Sequence, residues 1–170
     1  RLNLARSCDV VTLKHIVTMG VAGCGKTTIG ANLARRLELP FFDGDDYHPR
    51  ANLEKMSAGI ALTDGDRLPW LSALCQVMKE NPQGSVISCS ALKRSYRELL
   101  SQEPVSFVFL DVPESVILER VRSREHFFPE SLVLDQFLNL EAPNETEALR
   151  VDGCSEVDLI CQQLVEVLVS

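Results

Sequence analysis

The 170-residue chain has no run of about eighteen apolar residues, so its sequence predicts no membrane-spanning helix. It also lacks internal repeats, low-complexity tracts and Pro/Gly/Ser-rich linkers, which favours a single domain. Its six cysteines show no C-x-x-C pair and no metal-ligand spacing, and most lie in apolar surroundings, as expected for buried, reduced thiols in a cytoplasmic protein. Residues 1–14 are too polar for a secretory signal and are expected to form a flexible extension.

Basic charge is scarce as well. The formal net charge is −7, which argues against a nucleic-acid-binding surface. Seven acidic residues and one arginine lie from Glu141 onward, so residues 1–140 are close to neutral. An anionic substrate is therefore not repelled by the part of the chain that carries the motifs below.

Three glycines are concentrated in one stretch that fits the pattern G-x-x-x-x-G-K-[ST]. An apolar run at residues 16–19 precedes it, and a helical pattern with Ile29, Leu33 and Leu37 on one face follows it. Strand, glycine loop and helix form the context of a nucleoside triphosphate site, in which backbone N–H groups surround the phosphates. Lys26 is expected to reach the β- and γ-phosphates, and the Thr27 hydroxyl to bind Mg²⁺. The predicted nucleotide-binding residues here are Gly20, Val21, Ala22, Gly23, Cys24, Gly25, Lys26, Thr27 and Thr28.

Strand-like runs alternate with helical patterns along the rest of the chain. The further runs lie at residues 41–42, 85–89, 107–110 and 149–151, and helical patterns include residues 70–79, 115–122 and 156–168. This alternation predicts an α/β fold with a parallel sheet and helices on both faces. Ligands in such folds bind beyond the carboxyl ends of the strands.

Charged residues follow several of these runs. Asp43, Asp45 and His48 come after the second run, where a carboxylate could orient an acceptor hydroxyl and acidic groups could contact Mg²⁺. If this segment stays extended, Asp43 and Asp45 point the same way; alternatively, it is a solvated acidic turn. Arg67, ahead of a helix that Pro69 opens, either clamps a substrate carboxylate or pairs with Asp64 or Asp66 at the surface.

Two further groups have alternative interpretations. Ser90 and Lys93 follow the third run and could offer a hydroxyl and an ammonium to a polyol or acid, or Ser90 could cap the next helix. Arg120 and Arg124 share one helix face and could form a flap over the triphosphate, or a solvated basic face. Cys24, at a helix N-terminus beside Lys26, is either a reactive thiol that ATP protects or a small residue tolerated in a tight loop.

Together these motifs resemble the gluconokinase family, small P-loop kinases that phosphorylate D-gluconate at O6 with ATP. The likeness runs in order from about residue 16 to residue 143. Besides the glycine loop, it is carried by Asp43-Gly44-Asp45, His48-Pro49, Asn52, Lys55-Met56, Asp66-Arg67, Pro69-Trp70-Leu71, Cys89-Ser90-Ala91-Leu92-Lys93, Tyr96-Arg97, His126-Phe127, Gln136-Phe137, Leu140-Glu141 and Pro143.

The resemblance implies a five-stranded parallel core like that of shikimate and nucleoside-monophosphate kinases, with a mobile lid at residues 120–135 and use of ATP and Mg²⁺. It implies that Lys26, Asp45 and Arg124 are catalytic, that Arg120 and Arg124 contact the nucleotide, and that Thr27 and Asp43 hold the metal. The sugar acid would be bound by Asp45, His48, Lys55, Arg67, Ser90, Lys93 and Gln136. Relatives of this kind also suggest a homodimer, with neither nucleic acid nor membrane as a partner.

Two alternatives to this function remain at the level of sequence. One is a kinase for shikimate or a nucleoside monophosphate on the same scaffold. The other is a non-catalytic nucleotide switch, which is disfavoured because the chain has no Asn-Lys-x-Asp guanine-reading motif.

Overall fold

The computed structural model describes residues 15–123 and 128–170. Its centre is a sheet of five parallel strands in the order β2-β3-β1-β4-β5, which confirms the predicted fold class. The strands are β1 (His15–Met19), β2 (Phe41–Asp43), β3 (Ser85–Ser88), β4 (Val105–Asp111) and β5 (Ala148–Asp152).

Seven α-helices occur in the described ranges, and none of them is long and apolar enough to cross a membrane. They are α1 (Lys26–Leu37), α2 (Arg50–Ser57), α3 (Asp64–Glu80), α4 (Arg94–Leu100), α5 (Glu114–Arg122), α6 (Glu130–Asn139) and α7 (Val157–Leu168).

The strands feed two separate cores because successive side chains point to opposite faces of a sheet. Ile16 packs in the cluster formed with α1, α5 and α7, whereas its neighbour Val17 packs in the cluster formed with α3 and α4. In β4, Val108 likewise joins the first cluster and Phe109 the second. Helices therefore cover both faces of the sheet, as the alternating sequence pattern predicts.

Helix α3 begins at Asp64, earlier than expected. Pro69 therefore lies inside the helix and does not open it. Thr63 caps the helix: its hydroxyl accepts a hydrogen bond from the Asp66 amide, and the Asp66 carboxylate accepts one from the Thr63 amide. This reciprocal capping box satisfies two N–H groups that the first turn leaves without partners. As a result, Arg67 lies within the first turns of α3, on its buried side.

The segment after β2 is a short 3₁₀ helix, Gly44–Tyr47, so the condition under which Asp43 and Asp45 would point the same way, an extended segment, is not met. Asp43 caps this turn by accepting a hydrogen bond from the Asp45 amide at 3.0 Å. Only glycine fits at position 44, since a Cβ there would lie 2.1 Å from the Ser88 carbonyl oxygen. The turn is thus held tightly against the end of β3.

Candidate active site

The glycine loop joins β1 to α1 in the conformation that the motif predicts. Gly20, Gly23 and Gly25 all have positive φ, at 145°, 83° and 98°, a region that side-chain-bearing residues seldom adopt. Helix α1 starts at Lys26, whose carbonyl oxygen accepts a 2.8 Å hydrogen bond from the Thr18 hydroxyl of β1. The Lys26 ammonium bends back over the loop and donates to the Val21 carbonyl oxygen at 3.4 Å. Loop, ammonium and helix N-terminus are together the groups from which an anion site is built.

Cys24 points into the protein core, away from this anion site. Only 1% of the residue is exposed, and it packs in the cluster that contains Ile117 and Val121. Its sulfur also leaves no room for a Cβ on Gly20, which would lie 2.7 Å away. This burial contradicts the expectation of a reactive thiol and favours the alternative of a small residue in a tight loop. Of the other described cysteines, Cys75, Cys89 and Cys161 are buried and Cys154 is exposed.

Thr27 and Asp43, the two predicted metal ligands, lie next to each other. The Thr27 hydroxyl donates to Asp43 Oδ2 at 3.3 Å. Asp43 Oδ1 accepts hydrogen bonds at 3.0 Å from both the Ser88 hydroxyl and the Asp45 amide, which fixes the carboxylate. A hydroxyl and a carboxylate oxygen beside the phosphate-binding lysine are donors of the hard, oxygen type that Mg²⁺ prefers. The residues present therefore fit this ion.

A cavity of about 370 Å³ adjoins the loop and reaches between α2, α3 and α6. Its charged side chains are Lys26, Asp45, Arg67 and Asp135. The remaining walls are formed by Ala22, His48, Leu53, Met56, Ser57, Ile60, Ala61, Leu62, Trp70, Ser90, Phe128, Pro129, Leu132 and Gln136. Five predicted substrate residues, Asp45, His48, Arg67, Ser90 and Gln136, thus meet in one polar and apolar cavity beside Lys26.

Arg67 is the buried cation of this cavity, with 7% of the residue exposed. Its Nη1 donates to the Leu62 carbonyl oxygen at 2.7 Å and to the Tyr96 hydroxyl at 3.3 Å. The alternative interpretation, a surface arginine paired with Asp64 or Asp66, is wrong because both carboxylates have other partners. Asp64 accepts hydrogen bonds from Lys93 and Tyr96, and Asp66 accepts from Lys55.

Lys55 and Lys93, predicted to hold the sugar acid, are engaged in ion pairs and are absent from the cavity walls given above. Lys55 contacts both oxygens of Asp66 at 2.8 Å and, with the hydrogen bonds from Thr63, lowers the pKa of Asp66 to about 2. Lys93 contacts Asp64 at 2.8 Å, an interaction that raises the pKa of the ammonium. Their role in substrate binding stays a prediction.

Gln136 connects α6 to the phosphate loop, since its Oε1 accepts a 2.7 Å hydrogen bond from the Ala22 amide. Ser90 lines the cavity but does not cap α4: Lys93 occupies the N-cap position, with no side-chain hydrogen bond there. The backbone at Ala91 has φ of 44°, and the Arg97 guanidinium donates to the carbonyl oxygens of Ala91 and Leu92. These bonds hold the Ser90 segment at the cavity.

Arg120 lies behind the phosphate loop. Its guanidinium donates to the carbonyl oxygens of Gly23, Cys24 and Gly153, at 3.3, 3.5 and 3.1 Å, and so ties the loop to the end of β5. Arg122 pairs with Glu130 across the segment between α5 and α6. Arg124 and His126 lie outside the described residues.

Sequence reasoning missed three contributors to the site. Ser88, which orients Asp43, lies at the carboxyl end of β3, where the rule used for the other strands would have found it. Asp135 lies in α6, where no local pattern marks it. Tyr96, in α4, is among the residues that carry the family resemblance, but the resemblance gave its hydroxyl no role.

The fold and site define a P-loop kinase, and the comparisons with known proteins agree. The shikimate kinase family model matches residues 22–161. The gluconokinase of Gluconobacter oxydans is 43% identical over 159 residues, with 89% of each chain covered, and the thermosensitive gluconokinase of Escherichia coli is 40% identical, with 88% and 84% covered. A gluconokinase crystal structure from Sinorhizobium meliloti superposes with a TM-score of 0.85 at 42% identity, covering 92% of each chain. The chain belongs to the gluconokinase family, and as a kinase of this kind it uses ATP.

Proposed function

We propose that the protein transfers the γ-phosphoryl group of ATP to O6 of D-gluconate, giving 6-phospho-D-gluconate. The relatives reported above are named for this activity, and one structural observation supports it most directly. The cavity beside the phosphate loop carries Lys26 and Asp45 together with the buried guanidinium of Arg67. A phosphate-binding lysine, a proton-accepting carboxylate and a carboxylate-binding arginine are the groups that phosphorylation of a sugar acid requires.

On the nucleotide side, the loop amides and Lys26 would neutralise the triphosphate, and Thr27 with Asp43 would hold Mg²⁺. The metal, when bound, adds positive charge where the phosphate oxygens gain negative charge. Phosphoryl transfer needs little covalent chemistry from the protein, so positioning and charge neutralisation supply most of the rate. Arg120 acts at the loop by bracing its carbonyl groups. The catalytic role of Arg124 and the lid at residues 120–135 stay predictions.

On the acceptor side, Asp45 orients the primary hydroxyl and accepts its proton as the oxygen attacks phosphorus. Arg67 binds the carboxylate at the other end of the substrate, where Nη1 is held by Leu62 and Tyr96. His48, Ser90 and Gln136 contact hydroxyl groups along the chain of the sugar acid. Lys55 and Lys93 flank the site on α2 and before α4, but their charges are compensated by Asp66 and Asp64, so direct contact with the sugar acid stays a prediction.

An acceptor panel tests the function. ADP release is measured with gluconate, shikimate, glucose and nucleoside monophosphates, with the Lys26→Ala variant as the control for contaminating kinases. Gluconate should stimulate ADP release far above the other acceptors. Stimulation by shikimate alone, the acceptor that the matching family model suggests, would assign the site to a different acid. ATP binding without stimulation by any acceptor would favour a nucleotide switch.

A further inference from the structure

His48 is a cavity residue whose ring is held in one plane. The ring stacks on Trp70 with centroids 4.2 Å apart and planes inclined by 17°. Trp70 is itself fixed, since its Nε1 donates a 2.7 Å hydrogen bond to the Gly44 carbonyl oxygen. Although His48 lines the cavity, only 5% of its side chain is exposed.

Asn52 determines which ring nitrogen of His48 carries the proton. Asn52 is 3% exposed, and its Nδ2 donates to the Asp66 carbonyl oxygen at 2.8 Å. The same Nδ2 lies 3.3 Å from His48 Nδ1. A carbonyl oxygen only accepts and an amide nitrogen only donates, so both Asn52 hydrogens are given away and His48 Nδ1 must accept. A proton on Nδ1 would break this contact, which leaves Nε2 as the protonated nitrogen.

Burial of the His48 ring favours its neutral form. The charged side chains that line the same cavity are Asp45 on the 3₁₀ turn, Arg67 on α3, Asp135 on α6 and Lys26 of the phosphate loop. Burial chiefly, and then the Arg67 guanidinium, lower the pKa of His48 below its usual 6.5, while Asp45 opposes them. His48 is therefore a hydrogen-bond donor through Nε2 and not a cation for the substrate carboxylate.

We propose that His48 Nε2–H binds O5 of the acceptor, the hydroxyl next to the one that is phosphorylated, and that Asn52 is the positioning residue that sets this tautomer. The inference rests on the proposed function. Nε2 lies 4.0 Å from Asp45 Oδ1, so donor and acceptor face neighbouring positions in the cavity. Donation to the attacking oxygen would withdraw electron density from it and weaken it as a nucleophile, whereas donation to the adjacent hydroxyl carries no such cost. The pair therefore distinguishes a vicinal diol from an isolated hydroxyl.

Nitrogen NMR of protein labelled with ¹⁵N-histidine tests the tautomer without any need for turnover. The His48 signals, assigned by their loss in His48→Phe, should show an Nε2–H, neutral ring at pH 7. Asn52→Asp supplies a carboxylate that accepts from Nδ1–H, and it should shift the proton to Nδ1 and raise the pKa of His48. The matched control is Asn81→Asp, which removes a similar amide-to-carbonyl bond, to Val77, at the far end of α3. A wild-type ring that carries its proton on Nδ1, or is charged at pH 7, overturns the inference.

Deoxy analogues of gluconate test the assignment of His48 Nε2–H to O5. His48→Phe keeps a ring on Trp70 but loses the donor, so kcat/KM for gluconate should fall by roughly tenfold, the effect of one hydrogen bond. This fall in kcat/KM should disappear with 5-deoxygluconate and persist with 3-deoxygluconate. His48→Gln restores an N–H donor, so its kcat/KM for gluconate should lie between those of His48→Phe and the wild type. An equal fall with both analogues refutes the assignment to O5. If the wild-type protein does not turn over gluconate, both the proposed function and the assignment of His48 to O5 are overturned. The nitrogen spectra still test the tautomer in that case.

Discussion

Replacement of Arg67 by alanine tests how the site recognises an acid. The guanidinium is almost completely buried beside the cavity, so a substrate carboxylate bound to it would be shielded from water. Charge-assisted hydrogen bonds of this kind contribute about 1.5–3 kcal/mol, so KM for gluconate should rise by about 10- to 150-fold. Because the arginine contacts neither the loop nor Asp45 by a hydrogen bond recorded for the described residues, kcat should change by only a few-fold.

The assay is steady-state ADP release with gluconate and with sorbitol, a neutral polyol of the same chain length. Arg67→Ala should weaken the binding of gluconate strongly and the binding of sorbitol little. The variant should therefore lose most of the preference for gluconate over sorbitol. Arg67→Lys keeps the charge but not the planar fork, and it should give an intermediate KM. Loss of a donor to the Leu62 carbonyl oxygen also destabilises the fold, which thermal unfolding with and without saturating gluconate measures separately. An unchanged KM, or equal losses for both acceptors, would show that the carboxylate is bound elsewhere.

Four other predictions concern the loop, the turn and α3. Lys26→Ala should lower kcat by at least about 100-fold in the ADP assay, since it removes the cation beside the transferring group. Gly44→Ala should unfold at clearly lower temperature and lose activity, because its Cβ would overlap the Ser88 carbonyl; a wild-type melting curve would contradict this. Thr63→Ala should lower the free energy of unfolding, measured in urea, by about 1 kcal/mol, because it removes the cap of α3. KM should stay at its wild-type value. The pKa of Asp66 lies at about 2 in the folded state, below its unfolded value, so its stabilising effect is complete above about pH 4 and is lost as the pH falls toward 2. Urea midpoints of wild type and Asp66→Asn should therefore converge over that range.

The phosphate loop could be predicted because all its determinants are local. β1, the positive-φ glycines and the first residue of α1 follow one another directly in the sequence. The fold class could also be predicted from the sequence, since an apolar run occurs at each strand. Strand ends were placed to within one or two residues for the same reason.

The arrangement of charges in the site could not be predicted in this way. The buried Arg67 guanidinium donates to the hydroxyl of Tyr96, 29 residues away. Lys93 pairs with Asp64 over the same separation, and Gln136 reaches Ala22 from 114 residues away. Each of these contacts depends on how helices pack, and the local sequence does not encode that. Helix α2 escaped notice for another reason: only Asn52 is buried in it, so it lacks the apolar stripe of a helix that packs on the core.

The 3₁₀ turn after β2 gives the two nearby aspartates different chemical environments. Asp43 accepts hydrogen bonds from Thr27, Ser88 and the Asp45 amide, and a carboxylate fixed by three donors is suited to hold a metal in one place. The Asp45 side chain is 72% exposed and faces His48 across 4.0 Å, so it has room to take up a hydroxyl proton. The turn therefore supports a division in which Asp43 serves the metal and Asp45 serves the acceptor.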